Sequence, residues 1–409
     1  MSKSGKRLSS QLLRICLNDI INPMHKTIRS ILPFLISGFL FSIILSSTAY
    51  FNSTFIETNF LNTKPGIWYT IGSIIVLLVS LRLPHIQSKI GNRKLILIVL
   101  SILSLSLLGL SMPASPISLL FFVTFLATGT ITLSSLDIFI EKYSVDKFTG
   151  QIRGIYLTSL NLAWIFSPLL GSLFIGESEN FGLLYKIAFF MSLIVIIVVS
   201  ISSKNFIDDK YKHHELKDFI LALKDKNIRG TLALQFTLQF FYAWMVIYTP
   251  IYLHESLGIP WAAIGKMFLI MLVPFVLIQY PLGRMADKKH DEKEFLTFGF
   301  LIAAISTAVF GIAGGGSIIF LAIILFFTRI GAATIEIMNE SYFFKQIGSN
   351  EPTKVAIFRM MYPSAYIIAP IIAIPILLKN NFSLFYLILS IILASMVLII
   401  NNLKQTKKS

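Results

Sequence analysis

The chain has 409 residues, of which 55% are hydrophobic and only 13% charged, and its mean hydropathy is +0.77. A water-soluble globule of that length needs a polar skin that this composition does not supply, so the solvent is lipid. In lipid only helices and closed barrels satisfy their own backbone, and continuous apolar stretches without strand-like alternation select helices.

The net charge of +15 is what basic loops gathered on one side of a membrane produce, so nucleic acid is not an expected partner. Cys16 is the single cysteine, which excludes an intrachain disulfide and a cysteine-based metal site. The histidines lie in or beside polar stretches, and neither a metal nor another cofactor is expected.

In residues 1–30, Leu8, Leu12, Leu13, Ile15, Leu17, Ile20 and Ile21 fall on one helical arc opposite Gln11, Arg14 and Asn18. This pattern predicts a helix lying on the inner leaflet. Asp19 interrupts the apolar region and no small-residue cleavage site follows, unlike a signal peptide. Spans of roughly 20 apolar residues follow at 31–51, 67–84, 95–112, 116–140, 154–175 and 183–202. After a polar stretch come 230–253, 260–282, 295–313, 317–338, 355–377 and 383–401. The expected organisation is a six-helix bundle over 31–202, a central loop over 203–229, a second bundle over 230–402 and a tail at 403–409. Placing both termini in the cytoplasm of a cell (inner) membrane puts nearly all the loop lysines and arginines inside; little beyond Lys64, Lys186 and Lys379 stays outside. Leu216–Lys224 reads as a short amphipathic helix, and Asp208-Asp209 with His213-His214-Glu215 reads as solvated linker.

The halves repeat. Gly129 and Gly331, Thr132 and Thr334, and Pro168 and Pro370 each stand 202 residues apart, while the loops after spans two and eight align at an offset of 199. Such a repeat is a common plan for transporters.

The loop after span eight reads Gly283-Arg284-Met285-Ala286-Asp287-Lys288-Lys289-His290, and the loop after span two reads Pro84-His85-Ile86-Gln87-Ser88-Lys89-Ile90-Gly91-Asn92-Arg93-Lys94. With the repeat, these loops resemble the major facilitator superfamily. That family's loop between spans two and three carries glycine, three residues, an acid, a base, one residue, glycine, then bases. Gly283, Asp287 and Lys288 keep the pattern, as do Lys89, Gly91 and Arg93, but Pro84 replaces the first glycine and Ser88 the acid. The resemblance implies an all-α fold of twelve transmembrane helices in two pseudo-symmetric six-helix bundles. It also implies charged latches that hold one face shut, with Asp137, Glu336 and Arg359 at matching depth. The expected pairings are Asp137 with Arg93 or Lys89, and Glu336 with Arg359 or Lys288. In span five, Ser167-Pro168-Leu169-Leu170-Gly171-Ser172 resembles the Gly-Pro-x-x-Gly-Gly element of drug–proton antiporters and leans towards export. Pro168, Gly171 and Pro370 are expected to shape helix packing.

An ionisable residue within a span is a candidate functional group. Arg329 lies in the tenth span, which lines the central cavity in this family, and is the first candidate for a solute site; the alternative is an ion pair with Glu336. Gln235 and Gln239, followed by Tyr242 and Trp244, form either a cavity wall or interhelical hydrogen bonds, and Asn161 reads the same way. The first span has no carboxylate, so proton coupling falls to Glu336 or Asp137, or the carrier is a uniporter. The implied function is a monomeric secondary transporter or facilitator moving a small solute, alone or with a proton, by alternating access. The rivals are an uptake permease, a transport-inactive sensor or scaffold, and a membrane enzyme acting on lipid-linked substrates.

Overall fold

The computed structural model describes residues 30–143, 149–176, 179–208, 223–279, 281–283, 285, 292–314, 316–346, 352–379 and 381–404. The interfacial helix expected in residues 1–30, most of the segment 216–224, and the latch residues Asp287 and Lys288 lie outside them. Among the described residues there are twelve helices long and apolar enough to cross a membrane, and no strand. They are α1 (Ser30–Asn59), α2 (Pro65–Ile90), α3 (Asn92–Leu110), α4 (Pro116–Ile140), α5 (Thr158–Ile175), α6 (Phe181–Ser202), α7 (Lys226–Ser256), α8 (Trp261–Gly283), α9 (Glu292–Ile312), α10 (Ile318–Gln346), α11 (Lys354–Leu377) and α12 (Phe382–Asn401). With an even number of crossings, residues 30 and 404 lie on one face, together with the basic loops. We call it the basic face, and its opposite the far face.

Several helices outrun the spans expected from hydropathy. The 29 residues of α10 extend about 44 Å, well beyond a hydrocarbon layer of about 30 Å. The first span does not end at residue 51: a turn at Tyr50–Phe51 leads into Asn52–Asn59. There Asn52, Ser53 and Thr54 are buried, and Asn52 Oδ1 accepts a 2.8 Å hydrogen bond from Tyr185 of α6. Asn52 is satisfied inside the protein by Tyr185, while the Ser53 and Thr54 hydroxyls are buried without a partner, and hydropathy alone registers neither.

The bundles meet along two pairs of helices, α2 with α11 and α5 with α8, and the repeat shows in the contacts. Gly66 of α2 lies against Pro370 of α11, where a Cβ would sit 2.7 Å from the ring, and also against the Tyr248 hydroxyl. Gly265 of α8 lies against Ser172 of α5, 2.7 Å from its Cβ, and 3.1 Å from the Pro168 carbonyl. The glycines stand 199 apart and the prolines 202 apart, which are the two offsets of the repeat. Glycine lets the backbones approach at the far-face ends of α2 and α8. Gly171 is closed in similarly, by Phe51 and the Ser47 carbonyl at 2.7 Å.

At the basic face the loop between α2 and α3 turns through Gly91, whose φ of +79° favours glycine. Asp208, just after α6, accepts a 2.7 Å hydrogen bond from the Asn92 amide at the first turn of α3, where a carboxylate also meets the positive end of the helix dipole. Asn92 accepts from Gln87 (3.2 Å) and donates to the Ser135 carbonyl of α4 (3.0 Å). The loop that lacks an acid at Ser88 thus receives one from Asp208.

Gly265→Val should cost about 1–3 kcal/mol through overpacking, lowering the melting temperature of the detergent-solubilised protein. Val at exposed Ile270 should not. An unchanged melting temperature for Gly265→Val would refute the close contact with α5.

Candidate functional site

The site is built on α10. Gly331 faces α9, where a Cβ would lie 2.6 Å from both the Gly299 carbonyl and the Ala303 amide, so the two backbones are locked together. Two residues along a helix is a rotation of about 200°, which turns Arg329 to the other side, towards α7. Its guanidinium carbon lies 5.2 Å from the Phe241 ring centroid and 5.5 Å from that of Tyr242. Arg329 is 1% exposed, and its Nε and Nη2 have no hydrogen-bond partner. The cation–π contacts compensate part of the desolvation of a buried guanidinium, and among the described residues no carboxylate lies within ion-pair distance of it.

Glu336 lies two turns along the same face of α10, about 10.5 Å of helix rise away. The ion pair with Arg329 is not formed. Glu336 is half-buried, and its Oε2 accepts from the Tyr242 hydroxyl (3.3 Å) and from Gln279 Nε2 of α8 (3.1 Å). Gln279 Oε1 in turn accepts from Asn161 Nδ2 of α5 (3.2 Å). A polar chain therefore runs from the first bundle into the second, through Asn161, Gln279, Glu336 and Tyr242, and ends beneath Arg329.

The other expected residues are placed as follows. Gln235 accepts from Asn339 Nδ2 of α10 (3.2 Å), so it makes an interhelical hydrogen bond within the second bundle. Gln239, one turn on, is half-buried. Trp244 is fully buried, with Nε1 donating to the Ala369 carbonyl (2.7 Å) and its ring stacked 3.9 Å from Phe385. The structure sets it against α11 and α12, away from Arg329. Asp137 pairs across the bundles with Arg359, Nη1 to Oδ2 at 3.0 Å, instead of with Lys89 or Arg93 of its own bundle. Glu336 is occupied by neutral donors, instead of by Arg359. Lys89 is exposed, and Gly283 lies near Ile337 at 3.7 Å.

Two features were not anticipated. Gln279 is an amide in the otherwise apolar run Met271–Leu282, and that isolation was its signal. On the far face, His254 Nε2 meets Glu179 Oε1 at 2.6 Å, while Nδ1 meets the Ile259 carbonyl at 3.0 Å and the ring stacks 4.4 Å from Trp261. Trp261 also packs against Phe51 at 4.9 Å and Phe181 at 6.4 Å, so an α8 aromatic plugs the first bundle there. A separate cleft of about 1060 Å³ opens on the far face, with Glu57, Lys64, Tyr248 and Lys379 in its walls. Arg329 is not among them.

Two helical halves that meet around a polar centre, with an ionic contact between them at each face, define a membrane carrier. The family profile of the Major Facilitator Superfamily matches residues 34–335 and 232–408. The chain belongs to that superfamily and is a membrane transporter. The crystal structure of a D-xylose–proton symporter is similar, with a TM-score of 0.74 over 93% of this chain and 99% of that one. At 14% identity this likeness shows the fold alone. No curated protein matches the sequence.

Replacing Arg329 with Met removes a buried cation but keeps its bulk. The melting temperature in detergent should rise, by the equivalent of about 1–3 kcal/mol for the unmade hydrogen bonds. A fall would mean that Arg329 holds the fold together.

Proposed function

We propose that the two bundles rock about the Arg329–Glu336 centre and carry a small solute across the membrane by alternating access. The observation that supports this most is a buried guanidinium without hydrogen-bond partners at Nε and Nη2, resting on Tyr242, whose hydroxyl begins a polar chain through Glu336 and Gln279 to Asn161 of the first bundle. An ionisable group in hydrocarbon is retained for what it does. In this reading Arg329 and Tyr242 contact the solute, and Asn161 and Gln279 report its presence across the interface. Gln235, Gln239 and Trp244 support the wall from behind.

The ionic contacts serve as the latches. Asp137–Arg359 closes the basic face, and His254–Glu179 with the Trp261 plug closes the far face. Each pair is partly exposed, hence worth only about 1 kcal/mol or less, which suits contacts that must break in every cycle. Lys89, Gly91 and Arg93 shape the first basic-face loop. Gly283, Asp287 and Lys288 do so in the second. The contacts of Gly66 with Pro370 and of Gly265 with Pro168 act as the fulcrum, and Gly171 packs α5 against Phe51 and Ser47 of the first helix.

The basic face is taken as cytoplasmic in a cell membrane, so both termini are inside, and the carrier works as a monomer. The Pro168–Gly171 element favours outward transport. Glu336 is the carboxylate placed to carry a coupling proton, because it shares a face with Arg329.

In a Cys16→Ser background, the pair Asp137→Cys and Arg359→Cys should cross-link and stop transport of whichever solute a vesicle screen identifies, with recovery on reduction. Undiminished transport in the cross-linked carrier would sink the latch. In the same vesicles Glu336→Gln should abolish the effect of a pH gradient while leaving counterflow. Retention of gradient-driven accumulation by Glu336→Gln would remove Glu336 from coupling.

A further inference from the structure

We infer that the solute is a small organic anion, held by its carboxylate on the Nε–Nη2 edge of Arg329. This rests on the central-site reading above and makes it more specific.

The buried Nε and Nη2 of Arg329 have no hydrogen-bond partner. In a guanidinium the Nε–H and the neighbouring Nη2–H point the same way, parallel and in the plane, as a two-pronged fork. That fork matches the two oxygens of a carboxylate, and a bidentate pair of charge-assisted hydrogen bonds is the strongest recognition Arg offers. The rings of Phe241 and Tyr242 lie over the guanidinium at 5.2 and 5.5 Å. Contact with two rings tilted 53° apart holds the guanidinium in place and gives it an aromatic flank.

Charge excludes the other classes. A cationic solute meets a like charge already stripped of water, at a cost that grows as the dielectric falls. A neutral polyol leaves the guanidinium unneutralised. The carboxylate nearest along α10, Glu336, has its Oε2 engaged by Tyr242 and Gln279, two turns away. A solute carboxylate places a counter-charge in direct contact with the guanidinium.

The test uses the full chain in sealed vesicles given one mixture of lactate, succinate, inorganic phosphate, D-xylose and choline, with entrapped solutes read by mass spectrometry. Detergent-solubilised protein is melted in parallel with lactate or succinate and with the corresponding amides, lactamide and succinamide. The expected result is protein-dependent movement of lactate or succinate, with a rise in melting temperature from the carboxylates and none from the amides. Arg329→Met should lose roughly 10- to 100-fold in apparent affinity, the loss of a charge-assisted pair. Arg329→Lys, which keeps the charge without the fork, should fall between. Movement of D-xylose or choline, unaffected by Arg329→Met, overturns the inference while leaving the transporter reading intact. Arg329-dependent movement of phosphate without either carboxylate overturns the carboxylate class. No thermal response to either carboxylate and no movement of either also overturns it, and the cross-linked pair at 137 and 359 then judges the transport reading separately.

Discussion

The bundle interface depends on close backbone approach at two related points, where Gly66 meets Pro370 and Gly265 meets Pro168 and Ser172. Within a bilayer no hydrophobic force drives helices together, so association rests on packing between surfaces that fit. A side chain at either glycine would push α2 from α11 or α8 from α5, the helix pairs that carry most of the contact between the bundles. Everything at the centre follows from that approach. The 3.2 Å hydrogen bond from Asn161 to Gln279 joins the same pair, α5 and α8, further along their length. A proline in α5 and another in α11 lie at these contacts, and neither helix is a uniform rod. Such a contact permits tilting about a fixed point better than sliding.

The two faces are held differently. At the far face the seal is mostly apolar: Trp261 against Phe51 and Phe181, Tyr50 against Phe268 at 4.7 Å, with one histidine–carboxylate contact at the edge. At the basic face a partly exposed ion pair, Asp137–Arg359, spans the two bundles. Each bundle is also braced within itself there. Asp208 holds the start of α3, and Glu292 at the start of α9 binds Lys345 at the end of α10. These braces stay within one bundle and keep it rigid, so that the weaker cross-bundle pair is the one that yields.

Much of this was legible in the sequence. Twelve spans, two halves and the offsets of 199 and 202 came from hydropathy and residue identity, because lipid imposes length and apolarity on every crossing. Arg329, Tyr242 and Asn161 stood out because polar groups in such segments are rare. What stayed hidden was pairing. Gln235 and Gln239 invite a cavity reading, yet Gln235 is taken by Asn339, 104 residues away. Asp137 finds its partner 222 residues on, in the opposite bundle, and the Asn92 amide finds Asp208 after 116. Sequence spacing shows which side chains share a helix face, but partner choice depends on how two bundles dock. The partners of Trp244, the Ala369 carbonyl and the Phe385 ring, were hidden for a related reason: they lie on α11 and α12, far away in sequence.

The halves have diverged in chemistry while keeping the same frame. The second contributes Arg329, Glu336, Gln279 and Tyr242 to the centre; the first contributes Asn161 and the aromatic Tyr50. Because Arg329 and Glu336 share α10, rocking of rigid bundles leaves their separation unchanged. What changes is contact with the other bundle, chiefly the Asn161–Gln279 bond and the approach of Tyr50. In the proposed cycle a solute held at Arg329 moves with the second bundle as one body, and its contact with the first bundle is made by neutral groups, so the two halves can part without breaking a charged contact at the centre.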